Sequence, residues 1–309
     1  MSKQSVSKHW RFCVLRRFAS AALVLITLVA CQSVVKPSWA IPEGVSTQSV
    51  NGYPMAYTTR GTGPTVVLVH GVLNDYRYWQ SALDTWSSDY RVMAVSLRHF
   101  YPEPWTGKGN DFSVHQHAKD LADFISTLGG PVHLVGWSYG GHVAYELARA
   151  RPDLAKKLVL AEAPLDALVG PADQAANAVQ VQRAAETAKL FSSEGLDQGL
   201  SFAVDSIAGP GAWSRVPAAS RQGFRDNAWT VVAIGLSEPE RVTCTEFGML
   251  KMPVLLVTGE LTTTRNKQLV AAEAKCLPQA SLSTIPKAGH SMARANPAAF
   301  KDAVLMFLR

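Results

Sequence analysis

Residues 132–141 read VHLVGWSYGG, and this stretch decides the fold. An apolar run typical of a buried β-strand leads into a Gly-x-Ser-x-Gly motif centred on Ser138, and residues 142–150 continue with helical spacing. A sharp turn from strand to helix lifts one hydroxyl clear of a sheet, and the flanking glycines let strand and helix approach closely. A glycine-rich loop is the alternative, but it requires neither the strand nor the helix. The pattern therefore predicts a nucleophilic serine at position 138.

Strands and helices alternate on both sides of this motif. Asn51-Gly52 predicts the turn of a β-hairpin over residues 45–60. Further strands are predicted at 65–69, 92–96, 158–161, 253–258 and 281–285, with helices at 76–88, 113–128, 266–276 and 297–308. The alternation predicts an α/β fold with a mostly parallel central sheet flanked by helices. Ligands of such sheets bind at the carboxyl ends of the strands, where Gly71, Ser138 and Glu162 fall.

The strand rhythm stops between residues 163 and 250, where the chain is helix-prone and rich in aromatic residues. We interpret this region as a helical cap, inserted between core segments 45–162 and 251–309. Most of its aromatic side chains are expected to pack the cap's own small core. Trp213 and Trp229 are candidates for facing the substrate pocket, together with Trp137 beside the serine.

A serine hydroxyl is a weak nucleophile until a base takes its proton. Of eight histidines, we assign this role to His290, because it lies in the loop after the last predicted strand and that loop returns to the carboxyl edge of the sheet. His142 follows Ser138 by four residues and is expected to point into the packing of its own helix. The remaining histidines of the core are most simply structural or surface groups.

The chain resembles the α/β-hydrolase superfamily over nearly all of residues 45–309, through His70-Gly71, the stretch 136–141 and Gly289-His290 in the family's order and spacing. The resemblance implies an oxyanion hole formed by the backbone N–H groups of Val72 and Tyr139. It also implies a reaction that needs neither metal nor cofactor. A serine nucleophile argues against the family's haloalkane dehalogenases and epoxide hydrolases, which use aspartate at this position.

The sequence offers two candidates for the carboxylate that orients the histidine. The family's usual Gly-x-x-Asp after the strand at 253–258 is replaced by Gly-Glu-Leu-Thr, which ends in Thr262. Glu260 stands two positions early and, at about 6–7 Å along an extended chain, is expected to miss His290. Glu162 ends the neighbouring strand, a location that some α/β-hydrolases use, and we favour it over Glu260.

The net charge of +6 belongs to the first 30 residues, which hold five basic and no acidic side chains. The rest of the chain carries 25 basic and 24 acidic side chains, so no nucleic-acid partner is expected. The basic start and the apolar run 19–30 predict a secretory signal peptide over residues 1–30, too short for a permanent membrane span.

Two processing sites compete after this segment. Leu-Val-Ala-Cys at 28–31 resembles a bacterial lipobox, in which Cys31 becomes the lipidated first residue, and residues 31–44 form a tether. Ser38-Trp39-Ala40 resembles an ordinary cleavage site that leaves a soluble chain beginning at Ile41. We favour the lipobox, because Cys31 directly follows the apolar run, and expect a membrane-anchored periplasmic protein.

Two further cysteines, Cys244 and Cys276, remain for the folded part of the chain. In an oxidising periplasm they are equally consistent with a disulfide and with two buried thiols.

The sequence thus predicts an exported serine hydrolase that acts on a small or medium carboxylic ester through an acyl-enzyme on Ser138. Alternatives are a carbon–carbon hydrolase or acyltransferase on the same residues, and a ligand-binding member of the fold without turnover.

Overall fold

A single eight-stranded sheet forms the centre of the molecule. The computed structural model describes residues 36–109, 111–169, 174–237 and 241–309. The strands are β1 (Ser46–Val50), β2 (Tyr53–Arg60), β3 (Thr65–Val69), β4 (Arg91–Val95), β5 (Val132–Trp137), β6 (Ala155–Ala161), β7 (Val254–Gly259) and β8 (Ser281–Ile285). Their order is 1-2-4-3-5-6-7-8, with β1–β2 and β2–β4 antiparallel and all other pairs parallel. The predicted α/β fold class is confirmed.

Helices cover both faces of the sheet, as the largely apolar and buried central strands require. The helices outside the β6–β7 region are α1 (Gln80–Trp86), α2 (Val114–Ser126), α3 (Tyr139–Ala150), α9 (Thr264–Cys276), α10 (Met292–Ala295) and α11 (Pro297–Leu308). One apolar cluster joins α2, α3 and α9 to the sheet, and a second joins α1 and α11 to its other face. Every residue of β5 is buried, so the strand that leads to Ser138 lies at the middle of this sandwich.

A helical region lies between β6 and β7 in the sequence, where the cap was predicted. Its helices are α4 (Gln174–Ser193), α5 (Leu196–Ala208), α6 (Ala218–Asp226), α7 (Ala228–Leu236) and α8 (Cys244–Gly248). Residues of α4, α5 and α7 share an apolar cluster of their own with Trp213. Leu73, from the loop after β3, is buried in the same cluster, so the cap packs directly on that loop of the core.

A disulfide links the end of the cap region to the core. Cys244 at the start of α8 and Cys276 at the end of α9 are bonded, with their Cα atoms 5.0 Å apart. Of the two states that the sequence left open for this pair, the structure has the disulfide.

The predicted signal peptide and Cys31 lie outside the described residues. Part of the predicted tether contacts the core, since the ring of Trp39 lies 5.9 Å from that of Tyr53 on β2. Within the described part of the chain, none of the helices has the length and hydropathy needed to cross a bilayer.

Candidate active site

Ser138 occupies the tight turn between β5 and α3. Its backbone has φ 53° and ψ −127°, a conformation that is strained for a residue other than glycine by roughly 1–3 kcal/mol. The turn closes only because its neighbours are small. A Cβ at Gly136 would lie 2.4 Å from the carbonyl oxygen of Gly140, and one at Gly140 would lie 2.4 Å from that of His70. The serine itself is half-buried.

His290 lies in the loop between β8 and α10 and faces this serine. Its Nε2 is 3.0 Å from the Oγ of Ser138, across 152 residues of sequence. Trp137 holds this loop in place, because its indole N–H donates to the carbonyl oxygen of His290 at 2.8 Å. Trp137 in turn stacks on Tyr78, with ring centroids 4.0 Å apart. The histidine is therefore positioned by the residue that immediately precedes the serine.

Glu162, not Glu260, is the carboxylate that reaches His290. Oε2 of Glu162 lies 2.6 Å from Nδ1 of His290, and the side chain is 1% exposed. Glu260 is exposed, and its carboxylate accepts a hydrogen bond from the backbone N–H of Lys287 at 2.7 Å. The structure thus brings together Ser138, His290 and Glu162 and leaves the alternative acid at the surface.

Four further donors surround the Glu162 carboxylate. Oε1 accepts hydrogen bonds from the Thr258 hydroxyl at 3.0 Å and the Gly259 N–H at 2.8 Å. Oε2 accepts from the Thr262 hydroxyl at 2.9 Å and from the Asn266 amide at 2.8 Å. The amide nitrogen of Asn266 is also 3.2 Å from Nδ1 of His290.

This set of donors determines the charge of Glu162. Burial raises the pKa of the carboxyl, but the neighbouring His290 and the hydrogen bonds from Gly259 and Thr262 outweigh it and leave the pKa below its ordinary value. An ionised carboxylate can only accept, so Nδ1 of His290 carries the proton of the neutral ring. Nε2 is then an acceptor directed at the Ser138 hydroxyl.

The loop after β3 approaches Ser138 closely. A Cβ at Gly71 would lie 2.9 Å from the Trp137 ring and 3.0 Å from the Cβ of Ser138, so a larger residue would force these side chains to move, and Val72 follows directly. His70 braces this loop: its ring nitrogens lie 2.9 Å from the Gly71 carbonyl oxygen and 3.1 Å from the Leu97 N–H. Because burial lowers the pKa of His70 to about 4, the ring is neutral and supports the loop, as the sequence predicts, rather than transferring protons.

Tyr139, the other expected oxyanion residue, is fixed by its side chain. Its phenol oxygen lies 2.8 Å from Nδ1 of His117, whose Nε2 lies 3.1 Å from the carbonyl oxygen of Arg98. Burial lowers the pKa of His117 to about 3, so this ring is neutral as well. The first turn of α3 is thereby anchored to α2 through His117.

A family model described as the alpha/beta hydrolase family matches residues 66–303. The chain belongs to this family. The match begins at β3 and ends within α11, so it includes Ser138, Glu162 and His290.

Individual relatives of this α/β-hydrolase match it over shorter stretches. A soluble epoxide hydrolase of Corynebacterium sp. (strain C12) is 32% identical over 114 residues, which cover 36% of this chain and 38% of that protein. A pimeloyl-[acyl-carrier protein] methyl ester esterase of Vibrio atlanticus (strain LGP32) is 37% identical over 103 residues, covering 32% and 36%. The chain therefore spans less than two fifths of the length of these curated relatives.

The solved structure of a thermophilic esterase from Thermogutta terrifontis resembles this α/β-hydrolase along most of both chains. The TM-score is 0.63 at 24% identity, and the match covers 86% of this chain and 97% of the other. At this identity the likeness shows the fold.

The three tryptophans predicted to line the substrate pocket make packing contacts in this α/β-hydrolase. Trp137 is 4% exposed and supports the histidine loop, and its role in the pocket stays a prediction. Trp213 is buried in the cap cluster, 5.8 Å from the Phe224 ring, where it packs with the other aromatic side chains of the cap, and its role in the pocket stays a prediction. Trp229 is half-buried between the Phe191 ring at 5.2 Å and the backbone of Gly107, and its role in the pocket stays a prediction.

Sequence reasoning missed the donors around Glu162. Thr258, Thr262 and Asn266 recur every four residues along the end of β7 and the start of α9. Thr262 itself stands where the family usually has an aspartate. These three polar side chains were therefore the signal in the sequence for a carboxylate nearby. It has meaning only once a carboxylate from another strand is known to lie there.

Proposed function

We propose that this α/β-hydrolase cleaves small or medium carboxylic esters through an acyl-enzyme on Ser138. The observation that carries the proposal is the continuous hydrogen-bonded chain from Glu162 Oε2 to His290 Nδ1 at 2.6 Å, and from His290 Nε2 to Ser138 Oγ at 3.0 Å. A nucleophile, a base and an ionised carboxylate behind the base are the three groups that acyl transfer by serine requires.

In the proposed reaction, Ser138 Oγ attacks the ester carbonyl carbon while His290 Nε2 takes the hydroxyl proton. The oxyanion accepts hydrogen bonds from the N–H groups of Val72 and Tyr139. His290 then gives its proton to the departing alcohol, leaving the acyl group on Ser138. Water, activated by the same histidine, releases the acid. Glu162 keeps the imidazole in the required tautomer and stabilises the imidazolium in both halves of the reaction.

The ester class is supported by the relative from Vibrio atlanticus, which is named a methyl ester esterase. Similarity to the Corynebacterium epoxide hydrolase does not favour epoxide opening here, because the family's epoxide hydrolases use an aspartate where this chain has Ser138. A carbon–carbon hydrolase or an acyltransferase would use the same three residues. Product analysis in the presence of competing alcohols separates transfer from hydrolysis.

The test combines covalent labelling with a substrate panel. Wild-type protein should react with a fluorophosphonate probe and turn over p-nitrophenyl esters, and Ser138→Ala should lose both activities. Comparison of acetate through octanoate esters gives the preferred acyl length. Labelling or turnover that persists in Ser138→Ala removes Ser138 as the nucleophile.

A ligand-binding protein without turnover is the alternative from another functional class. Its only support was the missing aspartate at position 262, and Glu162 supplies a carboxylate to His290 instead. Thermal stabilisation by an ester without any turnover would favour this alternative.

For the cellular location, our proposal is a lipidated Cys31 and anchoring at a periplasmic membrane surface. The contact between Trp39 and Tyr53 supports this choice, because cleavage before Cys31 keeps Trp39 whereas cleavage after Ala40 removes it. The mass of the mature protein distinguishes a diacylglyceryl-modified Cys31 from a chain that begins at Ile41. If Cys31 is lipidated, Cys31→Ser should remove the protein from the membrane fraction. If the mature chain begins at Ile41, the same substitution should leave the distribution of the protein unchanged.

A further inference from the structure

The loop that carries Val72 is bonded to the cap as well as to the core. The backbone N–H of Leu73 donates to the hydroxyl of Thr230 on α7 at 3.3 Å. The same hydroxyl donates to the carbonyl oxygen of Asn227 at 2.6 Å. Two residues further along the loop, the Asp75 carboxylate accepts from the side-chain amide of Asn227 at 2.7 Å.

We infer that Thr230, held in place by Asn227, is a positioning residue that sets the Val72 N–H against the oxyanion formed at Ser138. The inference rests on the proposed function, since it assigns the cap a part in the same reaction. It gives the cap a part in holding the catalytic geometry.

The loop needs such a support because its own backbone is strained. Leu73 has φ 61°, in the left-handed region that a leucine rarely adopts. Its side chain is 3% exposed and packs in the cap cluster. On the core side, His70 holds the carbonyl of Gly71. Val72 therefore lies between one attachment to the core and one to the cap.

Asn227 is itself rigidly held. Its Oδ1 accepts from the backbone N–H of Tyr101 at 2.8 Å, and its amide also donates to the carbonyl oxygen of Gly223 at 2.8 Å. Asn227 and Thr230 are each 1% exposed. Because leaving a buried polar group without a hydrogen-bond partner is costly, any shift of α7 that breaks these bonds is unfavourable.

Charged groups reinforce the same junction. The Arg77 guanidinium donates to Asp75 at 2.7 Å and to Asp226 of the cap at 2.8 Å. In the Arg77–Asp75 ion pair, the Asp75 side chain is 2% exposed, so its carboxylate is shielded from solvent. The segment from Leu73 to Arg77 is thus joined to the end of α6 and the start of α7 by directional bonds.

Oxyanion donors act only within about 2.7–3.1 Å of the developing charge, so a small displacement of Val72 weakens the transition state more than the bound substrate. Thr230→Val removes the hydroxyl while keeping the shape of the side chain. We expect kcat for p-nitrophenyl butyrate to fall about fivefold to fiftyfold, less than the hundredfold or more that loss of an entire donor costs. KM should change little.

Two matched variants accompany this one. Thr230→Ser keeps the hydroxyl and should recover most of the lost kcat. Thr187→Val removes another buried cap hydroxyl, which donates to the Arg183 carbonyl within α4, and should leave kcat at the wild-type value. Hydrogen exchange of the Leu73 amide should accelerate in Thr230→Val and be unchanged in Thr187→Val.

The outcomes separate the two proposals. If Thr230→Val keeps wild-type kcat and Leu73 exchange, or lowers kcat no more than Thr187→Val does, the positioning role is wrong while the ester hydrolase stands. If Ser138→Ala retains turnover, the proposed function fails, and Leu73 exchange in Thr230→Val still shows whether the cap holds the loop.

Discussion

The Thr262 hydroxyl donates a hydrogen bond to the carboxylate of Glu162 at 2.9 Å. Thr262 stands where this family most often has the aspartate that orients the histidine, and Glu162 comes from the end of the neighbouring strand, β6. The carboxylate therefore comes from another strand in this protein, and the residue at the usual position donates a hydrogen bond to it.

Neutralising the two candidate acids should have unequal effects. Glu162→Gln is expected to lower kcat about 10³- to 10⁴-fold, because the amide can present a donor to Nδ1 and favour the wrong histidine tautomer. Glu260→Gln should leave kcat near wild type, since Glu260 is exposed and its carboxylate bonds the Lys287 N–H. Steady-state kinetics with one p-nitrophenyl ester decide the assignment. A larger loss in Glu260→Gln would reverse it.

Moving the carboxylate to the family's usual position should restore part of the activity. In a Glu162→Gln background, Thr262→Asp adds a carboxylate at a position whose hydroxyl lies 3.1 Å from the Asn266 amide nitrogen. We expect kcat of the double variant to exceed that of Glu162→Gln by about tenfold or more, as an ionised acceptor again stabilises the imidazolium. Thr262→Asn in the same background is the uncharged control. Equal rates for the Asp and Asn versions would show that position 262 cannot serve His290.

Glu273 on α9 should make stability decrease as pH rises. It is fully buried, and neither carboxylate oxygen has a hydrogen-bond partner among the described residues. Burial, reinforced by the charge of Glu162, raises the pKa of Glu273 well above its ordinary value. The folded protein then holds a proton that the unfolded chain releases above the ordinary glutamate pKa, so the free energy of unfolding falls from there up to the raised pKa.

The slope of this loss is about 1.4 kcal/mol per pH unit between the two pKa values. Urea unfolding from pH 4 to 8 should show wild type losing stability relative to Glu273→Gln, which has no proton to release. Glu260→Gln, altered at an exposed glutamate, should follow wild type. Parallel wild-type and Glu273→Gln curves would mean that Glu273 is ionised in the folded state.

Reduction of the disulfide should destabilise the protein more than it affects catalysis. Cys244 and Cys276 are 32 residues apart, for which the chain-entropy model gives about 3–4 kcal/mol. The paired substitution Cys244→Ser/Cys276→Ser should lower the free energy of unfolding by up to this amount. Dithiothreitol should do the same to wild type, because Cys244 is exposed, and should not affect the serine variant. Equal sensitivity of both proteins to the reductant would contradict this account.

Much of the fold could be predicted because its signals are local. The strands β3 and β8 and the helix α11 begin and end at the predicted residues, since apolar periodicity and capping groups such as Asn296 act within a few residues. The hairpin turn at Asn51-Gly52 and the turn at Ser138 depend on glycine, whose effect on the backbone is also local. His290 could be named for the same reason, because its loop follows a recognisable strand.

The contacts that complete the site join residues far apart in the chain, and only the tertiary structure decided them. Ala161 pairs with Val257 in the parallel register of β6 and β7. This register sets Glu162 beside Thr258 and leaves Glu260 exposed at the surface, away from His290. The sequence favours Glu162 from its place at the end of a strand, but the register between β6 and β7, which sets the distance from each acid to His290, depends on the pairing of strands far apart in the chain. The sequence alone thus determined the sheet, the strand-to-helix turn and the histidine loop, because each depends on neighbouring residues. The acid behind the histidine and the hold of Thr230 on the Leu73 backbone depend on the packing of separate elements to within a fraction of an ångström.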